Sequence, residues 1–230
     1  MAQGVGGFGG TYGSHFQLVL ESHEIQLDTP NNRSLIEITL YMVDVSGAGS
    51  DYYNYDSCPW SIGGTVGLSG GITYNLNGNG QVVYMVNNNQ YWVGHNGDGT
   101  GSVSLSASFN ANDSPYLTSA STSLSYGLTT IKRWANVTYF DVVGQTTNTG
   151  FTLLGYADEA CGEMAFSIDG GNTYPQYNFG QSGFEAYFGN LQADTTYVCY
   201  MAISDPYSGY WSYAGPLYVQ TLPGGGFFMS

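Results

Sequence analysis

Positive charge is almost missing from this sequence. Arg33, Lys132 and Arg133 are the only basic residues, set against 17 acidic ones for a formal net charge of -14. A surface without cations cannot release counterions from a phosphate backbone, so no nucleic acid is expected as a partner. Attraction to an anionic membrane surface fails for the same reason. No apolar run reaches the ~20 residues of a spanning helix, so no membrane insertion is expected either. Residues 1–10 lack a basic stretch followed by an apolar one, which argues against a secretory signal. Cysteine is scarce and odd in number, with Cys58 in the first half and Cys161 and Cys199 in the second. The last two could face each other across a sandwich, but their spacing leaves pairing open, and buried thiols are the alternative. Good helix formers are also thin on the ground, which works against long helices.

What the chain has instead is 34 glycines, 21 tyrosines and many hydroxyl and amide side chains. Low charge combined with β-branched and aromatic residues is not the composition of a disordered chain, and strands joined by glycine turns fit it better. The clearest strand is 101–110, where Val103, Leu105, Ala107 and Phe109 alternate with Ser102, Ser104, Ser106 and Ser108. Asn96-Gly97-Asp98-Gly99 ahead of it supplies two glycines and two Asx residues for a tight reversal. Ile36, Ile38, Leu40 and Met42 mark one face of a second strand over 34–45, and Phe16, Leu18 and Leu20 one face of a third. Residues 1–13 read as a Gly-rich arm, either a loose terminus or a segment docking on a partner protein. Residues 46–60 read as a long loop whose Tyr52 and Tyr53 either close the core or present flat rings to a ligand. With the short runs at 64–86, about eight or nine strands are expected before residue 133, enough for a jelly-roll-like β-sandwich over 14–133.

His95-Asn96-x-Asp98-Gly99, Ser106-Ala107-Ser108-Phe109 and Leu128-Thr129-Thr130-Ile131-x-Arg133 carry a resemblance. They are similar to a domain of minor structural and tail proteins of long-tailed bacteriophages of Gram-positive bacteria. Its pattern there reads H-N-x-D-G, S-x-S-A-S-F and L-T-T-I-P-R, with Lys132 standing here where that family has proline. The resemblance implies a virion location, other virion proteins as partners and a homo-oligomer.

Composition changes after Arg133, and 134–222 reads as a second all-β domain. Leu191-x-Ala193-x-Thr195-x-Tyr197-x-Cys199-x-Met201 resembles the L-x-P-x-T-x-Y-x-V-x-V signature of fibronectin type III domains, with alanine for proline. That implies an immunoglobulin-like sandwich in which the tyrosine closes a loop corner. Ser167-x-Asp169-x-Gly171-x-Thr173-Tyr174 looks like an Asp box, a motif that caps a β-hairpin. Residues 223–230 form a Gly-rich tail ending in Phe227, Phe228 and Met229, which either docks on a partner or packs on its own domain.

Candidate chemistry is sparse. His95 next to Asp98 could move a proton or hold a metal, but a turn explains the neighbouring Asn and Gly residues as well. Asp158, Glu159 and Glu163 around Cys161 lack the spacing of a calcium loop. No cofactor, metal or catalytic residue is therefore expected, and the chain reads as a non-enzyme. The sharper signal is Asp205-Pro206-Tyr207-Ser208-Gly209-Tyr210-Trp211-Ser212-Tyr213. Tyr207, Tyr210, Trp211 and Tyr213, set among small spacers in a loop between the last two strands, suit ligand binding or burial in an interface. The expected function is a phage tail, baseplate or fibre component, with adhesion to host-surface carbohydrate as a further role. A capsid decoration or head-fibre protein and a non-catalytic carbohydrate-binding module are the alternatives.

Overall fold

A computed structural model describes residues 1–46, 52–76 and 80–225, with backbone only for 52–56 and 76. The tail residues Phe227, Phe228 and Met229 lie outside the described residues. Among those described, strands account for all the regular structure except one 3-10 turn at Gly13–His15. No helix among them is long and apolar enough to cross a membrane. The chain divides into two compact units, Met1–Ile131 and Lys132–Ser230.

The N-terminal unit holds β1 (Ala2–Gly7), β2 (Phe16–Asp28), β3 (Arg33–Asp44), β4 (Tyr52–Gly64), β5 (Leu68–Leu76), β6 (Val82–Gly94), β7 (Ser102–Asp113) and β8 (Leu117–Gly127). They form two four-stranded antiparallel sheets with orders β1-β2-β3-β6 and β5-β4-β7-β8. The period-2 pattern decides which side chains go inward. On β7, Val103, Leu105, Ala107, Phe109 and Ala111 are buried while the intervening residues face out. These meet Leu18, Leu20, Ile36, Ile38, Leu40 and Met42 of the other sheet in one core. Full burial of each such large apolar side chain contributes about 1.5–3 kcal/mol.

Two expectations need correction. The Gly-rich start is not a loose or partner-docking arm, because β1 pairs antiparallel with β2 from Ala2↔Ser22 to Gly7↔Gln17. Its glycines fit because β1 also runs close to β8: a Cβ on Gly4 would lie 2.3 Å from the Ser123 carbonyl oxygen, and one on Gly6 2.0 Å from that of Ser121. Thr11 N and Tyr12 N then donate to the carbonyls of Pro115 and Tyr116, tying the same segment to the entry of β8. The second correction concerns 46–60, where residues from Tyr52 onward belong to β4. A register shift between Asn54 and Cys58 breaks the alternation that would have marked the strand.

The C-terminal unit holds β9 (Val137–Val143), β10 (Phe151–Ala157), β11 (Glu163–Ser167), β12 (Gln176–Phe179), β13 (Gly183–Phe188), β14 (Thr196–Ser204) and β15 (Trp211–Gln220). A three-stranded sheet runs β13-β10-β9 and a four-stranded one β12-β11-β14-β15. Their core contains Phe151, Leu153, Met164, Phe166, Met201 and Ile203. Phe166 sits at its centre, stacked on Phe184 at 5.0 Å and on Phe140 at 5.7 Å. Gly155 passes beside it without a side chain, since a Cβ there would meet Met201 Sδ at 2.4 Å. The backbone N–H of Gln192 donates to Tyr197 Oη at 2.9 Å, so this tyrosine bonds the main chain five residues upstream while its ring packs against Phe151. Cys58, Cys161 and Cys199 are free and buried.

Candidate functional site

The outer face of the four-stranded sheet in the C-terminal unit carries a shallow groove of about 250 Å³, lined by Glu163, Ala165, Tyr174, Ala202, Trp211 and Tyr213. Strand register explains the assembly. Ala165 lies opposite Ala202, Ala202 opposite Tyr213, and Ser204 opposite Trp211. Met164, Phe166, Met201 and Ile203 point into the core, so the residues between them must face outward. Ala165 and Ala202 face outward yet are only 1% and 2% exposed, because the surrounding rings stand over them. Two alanines side by side give the groove its floor.

Trp211 and Tyr213 form one wall, two residues apart on β15 and therefore on the same side of the sheet. The turn feeding this strand is held by Asp205, whose Oδ1 accepts from Tyr207 N at 2.9 Å and Ser208 N at 2.6 Å. Ser208 Oγ donates in turn to the carbonyl of Arg133. Tyr174 stands on the other side, delivered by the turn between β11 and β12. There Asp169 Oδ1 accepts from Ser167 Oγ, Asn172 N and Thr173 N, and Asp169 Oδ2 accepts from Thr173 Oγ1 at 2.7 Å. The Thr173 hydroxyl first, then Ser167, hold the Asp169 carboxyl far below its ordinary range. Gly170 and Gly171 take the left-handed conformations that the reversal needs. Beyond Tyr174, Tyr177 lies opposite Ala165 and Phe179 opposite Glu163, their rings 5.6 Å apart, which extends the aromatic surface across β12.

Of the side chains singled out in the sequence, Trp211 and Tyr213 come together in this groove. They lie on β15 and not in a loop, because the turn is complete by Tyr210. Tyr207 and Tyr210 sit on that turn, exposed and outside the groove lining. Tyr52 and Tyr53 begin β4 in the other unit, and their side chains lie outside the described residues. Sequence reasoning did not assign Glu163, Ala165, Tyr174 or Ala202 to a site. The alternation of Tyr177 with Phe179 was a usable signal for the aromatic face, but the pairing with Trp211 and Tyr213 depends on strand order.

Several other titratable groups have local partners. His95 does not meet Asp98: its Nδ1 donates to the Gly99 carbonyl at 2.7 Å and its Nε2 lies 2.7 Å from Ser34 Oγ, whereas Asp98 accepts from Thr100 N and Oγ1. Lys132 Nζ pairs with Asp158 at 2.7 Å and Glu159 at 2.8 Å. Burial opposes ionisation of Asp158, but the Lys132 contact and the Asn136 amides outweigh it and bring the carboxyl down to about 2. Burial pushes the Cys161 thiol up to about 11, with help from Glu159 and Asp158, and the Cys199 thiol up to about 12. Both stay protonated at neutral pH, which denies them the thiolate a nucleophile needs. Among the described residues no three His, Cys, Asp or Glu side chains converge as a metal site.

Compared with known proteins, the chain matches no family model, and no curated protein sequence matches it.

Proposed function

We propose that the chain is a non-enzymatic structural component of a bacteriophage virion, in the tail, baseplate or a fibre, with its C-terminal unit serving attachment to the host surface. The observation that carries the attachment role is the ring-walled groove of Tyr174, Trp211 and Tyr213 on the outer face of a rigid sheet. Aromatic side chains on a strand offer large contact area at little entropic cost, and a sheet holds them in fixed register. The virion assignment rests on the motif resemblance around His95, Phe109 and Ile131.

The finer architecture supports the same reading. Eight strands in two four-stranded sheets around one core support a β-sandwich for the N-terminal unit. Seven strands arranged three and four, with Tyr197 bonded to Gln192 N at the corner before β14, agree with a fibronectin type III or immunoglobulin-like module for the other. Surface carbohydrate is the partner class for the groove in this reading, and a homo-oligomer is expected for the assembled protein.

The test is antibody labelling of intact particles viewed by electron microscopy. Label at the tail tip, baseplate or fibres is the expected result. Label on the head would favour a decoration protein, and particles that never carry label would overturn the virion assignment.

A further inference from the structure

The groove has a chemical bias. Glu163 lines it, and no cation balances that carboxylate among the described residues. Glu163 forms no salt bridge among the described residues, and Lys132 of the same unit is engaged by Asp158 and Glu159. Burial, and after it Tyr213 and Asp169, push the Tyr174 phenol up, so it remains a neutral ring in negative surroundings. Three aromatic faces and one carboxylate around a floor of Ala165 and Ala202 therefore present negative potential over an apolar base.

We propose that this groove binds a trimethylammonium group of the choline type, borne on a surface polymer. Charge complementarity favours a cation over a neutral ligand. Within the cations, hydrogen-bond accounting favours the fully methylated one. Besides Glu163, two phenol hydroxyls and the Trp211 indole N–H, the lining side chains offer no polar group. A primary ammonium is strongly hydrated and gives up part of that water to lie against aromatic rings. A trimethylammonium has no N–H to satisfy. Its methyl groups pack on the exposed faces of Trp211 and Tyr213 while its charge meets the rings and Glu163. The inference rests on the attachment reading only for the source of the ligand.

The experiment is a titration of the full-length chain with choline chloride, followed by the NMR signal of the Trp211 indole N–H. Saturable shifts are expected, with affinity reduced about tenfold or more in Trp211→Ala and for the uncharged tert-butyl analogue of choline. Glu163→Gln should weaken binding as well, and Trp211→Phe, which keeps a ring, should retain most of it. Tyr210→Ala, outside the groove, should leave it unchanged. Absence of saturation, equal affinity for the uncharged analogue, or indifference to Trp211→Ala in a folded variant would each overturn the inference. A parallel titration with neutral oligosaccharides separates the two readings. Binding of these through Trp211, without choline binding, sinks the cation and keeps the attachment role, and binding of neither sinks both.

Discussion

The ring of His95 joins residues far apart in the N-terminal unit. It donates to the Gly99 carbonyl, reaches Ser34 Oγ, and through that hydroxyl connects to Glu24, which also accepts from Thr129 N at 2.9 Å. Ser34 is fully buried, so a broken link cannot be repaired by water. His95→Ala should therefore lower unfolding free energy by about 1–3 kcal/mol, read by urea denaturation. Loss below about half a kcal/mol would mean the network contributes little. This role agrees with the turn-stabilising reading drawn from the neighbouring Asn and Gly residues. Ser34 as the partner could not be foreseen, because β3 and β6 had first to be paired, with Ser34 opposite Val93.

Among the elements, β1 shows how close packing can make sense of a low-complexity stretch. Glycine weakens an isolated strand, and that is why residues 1–13 look like an arm when read alone. Pressed against the backbone of β8, Gly4 and Gly6 become necessary. Gly6→Val should destabilise the unit by about 1–3 kcal/mol through overpacking and raise amide exchange in β1 and the paired half of β2. Gly7→Ala is the control, since nothing lies within 4 Å of a Cβ there. Equal tolerance of both substitutions would show that β1 is not held against β8. The converse case is β7, where strict alternation of Ser with apolar residues made the strand legible before any partner was known.

For the whole molecule the question is how so acidic a chain responds to pH. Protonating carboxylates relieves the repulsion of a net charge of -14, which should stabilise the fold in acid. Acting against this, Glu24, Asp28, Asp98, Asp158 and Asp169 all sit below their ordinary values in the folded state. A depressed carboxyl binds fewer protons folded than unfolded, so its contribution is present above the unfolded value and is lost as pH falls through the folded one. At ~0.15 M salt, repulsion beyond about 8 Å is largely screened while contact-range hydrogen bonds are not, so the local effect wins. Stability should fall as pH drops from near 4, the unfolded value of Asp158, toward about 2, its folded value, and Asp158→Asn should flatten that slope. A melting temperature that rises on acidification at this salt would contradict the argument.

The sequence alone determined that the chain is all-β, where its best strands run, and which turns reverse it, because a two-residue period and turn chemistry are local properties. The Gly-rich N-terminus and the irregular β4 escaped it, since one depends on a neighbouring backbone and the other on a register shift. The motif around Tyr197 was legible as a corner because the bond it makes spans only five residues. Trp211 and Tyr213 could be picked out by type, but their partners Glu163, Ala165 and Tyr174 could not. Only the strand order β12-β11-β14-β15 sets small residues beside large rings on one face, and strand order is fixed by which cores are buried together, a long-range outcome that no local pattern records.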